Sequence, residues 1–500
     1  MIFSKYNYLF LRCLAFLCAA SMLSCQKSFL ERAPISNSNE ANFYNSEADF
    51  ELAISGAYQA LTLEGTYNDF VPMIGDLRSD NSTMGSTAGQ RTSFREIDEF
   101  QEQSENFILS TIWNDHYAGI ARCNKVIQML DEKKEVLSEA KYNQIKGEAS
   151  FLRALFYFNM VRIFGDVPLS TKVLDNVQDA YKISRTPVQE VYSQIEADLL
   201  VASESLPNVG TVEPGKATAG AAKGLLGKVY LTQHQYDDAV RVLSEVIQSG
   251  DYHLVENFDE LWDPLASNSS ESLFEVQFKL QPGFQTGSIF SIRYTPYLSG
   301  TSLIGISTTG GGYNIPTPEM EQLYETDDAR SYSSVASGYV DGDGNFVSGL
   351  EGRHTRKYLG QADADLGSDD NWKVLRYADV LLMCAEALNE TGFVADGEAF
   401  RLLNMVRNRA HLEPYGTTAA DASLQLTDQS QFREAVYNER RAELAFEGHR
   451  WFDLVRTGRA VEVMEAQGFT IDTHQLLFPV PQSQIDINPD VITQNPGYIN

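Results

Sequence analysis

The sequence predicts a mainly α-helical protein of stacked helical hairpins, capped by an irregular loop-rich subdomain with short strands. Three observations lead there. Leu226-Gly227, Tyr230, Ala239, Leu243 and Val246 keep the spacing of a tetratricopeptide repeat. In that spacing small Gly227 and Ala239 let two antiparallel helices approach, while Leu226, Tyr230 and Leu243 fill the seam. Long stretches elsewhere repeat apolar residues at steps of three and four, the period of a helix with one buried face. Between about Tyr252 and Asn371 that period gives way to Gly-, Ser- and Tyr-rich sequence, including Gly310-Gly311-Gly312. Helical hairpins of this kind cannot bury their apolar faces alone, so they are expected to stack into a superhelix.

The chain opens with Lys5 and Arg12, then an apolar run, Cys13–Leu23, too short to span a bilayer. Such a run reads as the apolar core of a secretory signal. Met22-Leu23-Ser24-Cys25 resembles a lipobox, although Met22 stands where Leu is commonest. Cleavage before Cys25 would remove residues 1–24 and leave a thiol that carries diacylglycerol. Acyl chains on the thiol and on the new amino terminus suffice for stable attachment. Cys13 and Cys18 leave with the signal. Cys123 and Cys384 remain, both in apolar helical patterns, where free buried thiols are expected and one disulfide between them is the alternative. No Cys/His set has metal-ligand spacing, and no cofactor is expected.

A polar tether to about residue 45 precedes helical patterning that starts near Ser46 and recurs to about Asn143. A polar loop from Gly75 to Gln90 interrupts it. Ile112, His116, Ile120, Cys123, Val126, Ile127 and Leu130 share one helical face, and Ile145–Ile163 forms a second long helix stopped by Gly165-Asp166-Val167-Pro168. Thr186 as N-cap, Pro187 at the first position and Gln189 in a capping box mark the next start. Helix pairs of repeat length are expected at Ile145–Leu206 and Leu375–Ala410. In between, Phe274, Val276 and Phe278 alternate with Glu275, Gln277 and Lys279, a half-buried strand. These features divide the chain into a signal (1–24), a lipidated tether (25–45), a helical region (46–251), a loop-rich capping and ligand-binding region (252–371) and a C-terminal helical region (372–500).

Lys and Arg number 39 against 68 Asp and Glu, a formal charge of −29. That excess argues against nucleic acid, whose phosphates demand a basic face. The densest polar constellation is a charged helix, Glu439–Arg456. Paired carboxylates such as Glu443 and Glu447 could serve glycoside hydrolysis, but the arginines beside them would hold them ionised, whereas a general acid needs a raised pKa. Ion pairs tying helices together are expected instead. Asp341-Gly342-Asp343-Gly344-Asn345 begins like a calcium loop, but Phe346 and Gly352 occupy the positions of its required Gly and Glu, so a hairpin turn is expected. No nucleophile elbow, phosphate loop or dinucleotide motif occurs.

Two loop regions carry the binding expectation. The first supplies Asp76, Arg78, Asp80 and Asn81, followed by Phe94, side chains able to hydrogen-bond vicinal hydroxyls, amides or carboxylates. The second supplies Phe284, Phe290, Tyr294, Tyr297 and Tyr313, flat faces for stacking a sugar ring or side chain. Residues of that kind, Arg78 and Tyr294 among them, should be replaceable with little loss of stability.

Several blocks in order resemble the SusD/RagB family. They include Gly147-Glu148-Ala149-Ser150-Phe151-Leu152-Arg153-Ala154, Arg376-Tyr377-Ala378-Asp379-Val380-Leu381-Leu382 and Glu439-Arg440-Arg441-Ala442-Glu443-Leu444-Ala445-Phe446-Glu447-Gly448-His449-Arg450-Trp451. The tail adds Leu477-Phe478-Pro479-Val480-Pro481 and Asn495-Pro496-Gly497-Tyr498. The resemblance implies a right-handed tetratricopeptide superhelix and a Gram-negative outer-membrane location facing the exterior. It also implies a SusC-like TonB-dependent transporter over whose mouth the lipoprotein closes. Family ligands sit on the loop face, where starch-type members present arcs of tryptophan. Here Trp113, Trp262, Trp372 and Trp451 stand mostly in helical contexts, where core packing is expected. The function expected is capture of an oligosaccharide for uptake, without chemistry on it. An oligopeptide ligand, a secreted glycosidase and a ligand-free scaffold are the rivals.

Overall fold

The computed structural model describes residues 43–85, 92–174, 176–280, 287–308, 310–362 and 367–498. The signal, Cys25, most of the tether and Phe284 lie outside the described residues.

Helix α1 (Glu47–Gln59) starts at Ser46, whose hydroxyl accepts the Asp49 N–H while the Asp49 carboxylate accepts the Ser46 N–H. Helix α2 (Phe70–Leu77) is buried along its whole length. It is followed by α3 (Thr92–Asp98) and the long α4 (Phe107–Glu132). On α4 the expected face is buried, with Ile127 half-buried. Helix α5 (Glu139–Phe164) buries every residue from Gly147 to Phe164 except Arg162, and Gly165 ends it at φ 71°. Helices α6 (Val188–Ser205), α7 (Ala219–Thr232) and α8 (Tyr236–Ser249) follow. In the α7/α8 hairpin a Cβ on Gly227 would lie 2.4 Å from Leu243 Cδ2, which is why that position must be small.

The start of α6 differs from expectation. Thr186 is not its cap but pairs with Val167 in a short ladder, and the first helical N–H, that of Val188, donates to Asp166 Oδ1 at 2.8 Å. A carboxylate twenty-two residues back does what the local capping box would have done.

Each helix from α4 packs on the next, through α8 onto α9 (Tyr377–Thr391) and then α10 (Glu398–Arg409), giving a tetratricopeptide-like superhelix. The loop-rich segment leaves the stack after α8 and returns before α9. Strand Ser272–Val276 pairs antiparallel with Trp372–Arg376, tying its two ends together. Strands Gly338–Val340 and Phe346–Ser348 flank the expected hairpin turn, in which Asp341 Oδ1 accepts the Asp343 and Asn345 N–H groups. All four tryptophans are buried, as are the free thiols of Cys123 and Cys384. Among the described residues no helix is long and apolar enough to cross a membrane.

Glu439–Arg456 is two helices, not one. Helix α11 (Gln429–Glu443) stops, Phe446 and Gly448 take φ 63° and 74°, and α12 (Arg450–Arg456) begins afresh. The turn lowers Glu443 and Glu447 into a buried charge cluster. Arg376 holds Glu271 at 2.7 Å, Glu443 at 2.5 Å and Glu447 at 2.7 Å. Arg330 bridges Asp328, Glu439 and Glu443, Arg409 reaches Glu443, and Lys357 lies 2.7 Å from Glu447. Burial opposes ionisation of both glutamates, yet these cations outweigh it and hold their pKa values below the usual carboxylate range.

Candidate functional site

The first expected loop is a buried joint. Helix α2 runs past Gly75, where a Cβ would stand 2.2 Å from the Gly448 carbonyl oxygen, so the two backbones touch. The residues that follow are thereby led beneath the α11/α12 turn rather than out to solvent. Asp76 Oδ2 accepts the Gly448 N–H at 2.7 Å, and burial pushes its carboxyl up to about 7. Arg78 pairs with Glu102 at 2.7 Å, donates to the Gln475 carbonyl at 2.8 Å and lies 4.3 Å from the Phe100 and Phe478 ring centres. Asp80 accepts two bonds from Arg450, at 2.8 and 2.9 Å, and lies 2.9 Å from Arg441. Asn81 accepts from Arg441 Nε at 2.9 Å.

The aromatic expectations fare similarly. Phe94 and Tyr313 are buried and stacked on each other at 4.3 Å, and Tyr294 is buried beside Phe290 and Tyr358. These rings cover core, so they are not free faces. As surface contacts, Asp76, Arg78, Asp80, Asn81, Phe94, Tyr294 and Tyr313 are therefore corrected. Among the described residues expected at the binding surface of the two loops, Tyr297 alone is half-buried, on the segment whose neighbour Leu298 is exposed.

The structure opens a different concavity nearby, a cleft of about 540 Å³ between α1, the 213–216 turn and residues 274–279, the end of strand Ser272–Val276 and the segment after it. Such volumes suit a few sugar rings or a short peptide. Phe274 forms its floor, anchored edge-to-face on Phe151 of α5 at 4.8 Å, with Tyr58 of α1 beside it at 6.5 Å. The Tyr58 hydroxyl accepts the Ala217 N–H at 2.9 Å, so the ring is held in place. Lys216 lies 5.0 Å from the Tyr58 ring centre and 3.0 Å from buried Glu148. Gly215, at φ 87°, lets the turn close over Gln277, whose side chain a Cβ there would meet at 2.4 Å. Gln59, Gln277 and Lys279 are exposed on the rim; the Gln277 amide is bonded to Asn268, Asn371 and the Glu275 carbonyl and Lys279 is paired with Asp369, so Gln59 supplies the rim's amide donor and acceptor. Asn68 lines the same cleft and accepts the Ile289 N–H at 3.3 Å, linking it to the segment that carries Tyr297.

This arrangement offers stacking and hydrogen bonding, the means of recognition without bond making. Sequence reasoning missed Tyr58, Gln59 and Lys216 because α1 and its partner turn read as scaffold. Gln277 and Lys279 lay on the expected polar face of the 274–279 alternation, but the strand ends at Val276 and Glu275 on that face is buried, so only the two residues beyond the strand reach water.

A model of the SusD family matches residues 350–498, and a second, described as starch-binding and associating with the outer membrane, matches residues 28–231. A SusD-like protein, P2, of Formosa agariphila is 29% identical over 94% of this chain and 96% of its own length. Among solved structures, a laminarin-binding SusD-like protein superposes with a TM-score of 0.78 at 28% identity, covering 91% of this chain and all of that one. Surface glycan-binding protein A from Bacteroides fluxus gives 0.77 at 26% identity over the same shares. With both family models in chain order and relatives matching from end to end on one helical stack, this chain belongs to the SusD/RagB family.

Proposed function

We propose that this chain is a lipid-anchored protein of the bacterial outer membrane that captures an oligosaccharide and delivers it to a SusC-like TonB-dependent transporter. The observation that carries this is the cleft beside Phe274 and Tyr58, rimmed by Gln59, Gln277 and Lys279. The half-buried ring of Tyr58, backed by buried Phe274, suits the apolar face of a sugar ring, and the rim suits hydroxyls. Relatives named for laminarin and for surface glycans support the ligand class. The helical stack serves as a stiff frame and as the wall that docks on the transporter, Cys25 is the lipid attachment, and Tyr297 extends the binding surface.

Calorimetric titration against a panel of glycans and peptides tests the ligand class; stabilisation by peptides alone would replace the oligosaccharide. Gln59→Ala with Lys279→Ala should weaken binding by roughly tenfold or more while changing stability by only about 0.5–1 kcal/mol, since both side chains are exposed and the Lys279–Asp369 pair is at the surface. Unchanged affinity in that variant, with loss in Tyr297→Ala, would move the site onto the loops. Cys25→Ser should release the protein from the membrane fraction.

A further inference from the structure

The chain carries a formal charge of −29, yet one inner corner is short of carboxylate. Lys228 and Arg440 share Asp379 at 2.9 and 2.8 Å, Arg440 and Arg456 share Asp453 at 3.1 and 2.8 Å, and Arg456 takes Glu386 at 2.5 Å. His449 adds no charge, because burial and Lys228 depress its pKa to about 3. Arg162 is left over. Its guanidinium lies between the rings of Phe158 and Phe452, 4.0 and 4.2 Å from their centres. Nε donates to the Phe158 carbonyl at 3.1 Å and Nη2 to Asn159 Oδ1 at 2.7 Å. That leaves about three of its five N–H groups unused, and no carboxylate stands within ion-pair distance of it among the described residues.

Arg162 faces a cavity of about 550 Å³ where the end of α5 meets α6, α12 and the C-terminal segment. Val188, Tyr192, Phe452, Val455, Leu477 and Pro496 give it apolar walls. Arg185 also lines it, donating only to carbonyl oxygens and the Asn495 side-chain oxygen. The one carboxylate on the lining, Asp166, is engaged in capping α6. A half-buried cation without a counter-ion at the head of an apolar chamber is complementary to a molecule with the opposite distribution.

We propose that this cavity binds a small amphiphilic carboxylate, its acid group on Arg162 and its apolar body along Tyr192, Phe452 and Val455. The site shares no lining residue with the cleft at Tyr58, so it is independent of glycan capture.

The full chain is titrated with decanoate and 4-phenylbutyrate, and with the primary amide of each, by calorimetry and thermal shift. The acids should bind and raise the melting temperature, and the amides should not. Arg162→Met should weaken the acids roughly ten- to a hundredfold, the value of a charge-assisted pair. Val455→Trp, which fills the chamber and leaves the charge, should abolish binding, with glycan affinity unchanged in both variants. Equal binding of acid and amide, full affinity in either variant, or no binding of the acids at about 10 mM overturns the proposal. If Arg162→Met fails to fold, the acid–amide comparison and Val455→Trp decide it alone.

Discussion

Arg78 has no contact with solvent, yet Glu102 and the rings of Phe100, Phe478 and Trp451 surround its charge. Removing one partner of such a pair leaves the other charged and dry, at about 3–5 kcal/mol. Arg78→Ala should therefore shift the urea midpoint strongly, and Arg78→Met with Glu102→Gln should recover much of the loss; an unchanged midpoint in the alanine variant would mean the joint is open to water. Asp76, expected at the surface but buried against Gly448, makes a pH-dependent contribution. Its folded pKa, pushed up to about 7 by burial, exceeds the unfolded value, so the stability it contributes is fully present below pH about 4 and is lost as pH rises through about 7. Asp76→Asn removes that loss. Relative to the parent, the variant should gain on the order of 2–4 kcal/mol between pH 4 and 8 in urea melts. A difference that stayed constant with pH would show that Asp76 ionises freely.

At the scale of elements, the repeat spacing reports a physical necessity. Gly227 is small because Leu243 of α8 occupies the space of its Cβ. Gly227→Ala gains helix propensity of about 1 kcal/mol but overpacks the seam, typically by 1–3 kcal/mol. Leu243→Ala alone opens a cavity worth roughly 2–5 kcal/mol. The double variant should therefore be less destabilised than the two singles together, since each change relieves the other. Strict additivity in chemical denaturation would mean the helices do not touch there. The stop of α11 at Glu443 is the opposite case. Nothing in the helical period of Glu439–Arg456 predicts a break, which is set by Phe446 and Gly448 at positive φ and by the need to place Gly448 against Gly75.

Across the whole molecule, the buried charge cluster binds the loop-rich segment to the C-terminal helices. Arg330 and Lys357 come from that segment, Arg376 from its closing strand and Glu439, Glu443 and Glu447 from α11 and the turn after it. Glu443→Gln should cost about 3–5 kcal/mol in unfolding free energy, leaving Arg376 and Arg409 undercompensated. Its folded pKa is depressed, so its stabilisation is present above the unfolded value near 4 and lost on further acidification; the variant's acid limb should be shallower than the parent's. A Glu443→Gln protein as stable as the parent would reopen a chemical role for that carboxylate.

The helical stack, the hairpin turn at 341–345, the buried tryptophans and the structural role of the charged helix were all legible in the residues. They depend on interactions within a few positions or on a period repeated along the chain, and these leave a local imprint. What only the tertiary structure decided is which polar and aromatic residues meet water. Asp80 is satisfied by Arg450, 370 residues away, and Phe94 by Tyr313, while Gln59 and Gln277 are exposed across one cleft. Solvent exposure is set by partners distant in the chain, and no spacing between neighbours records where those partners will stand.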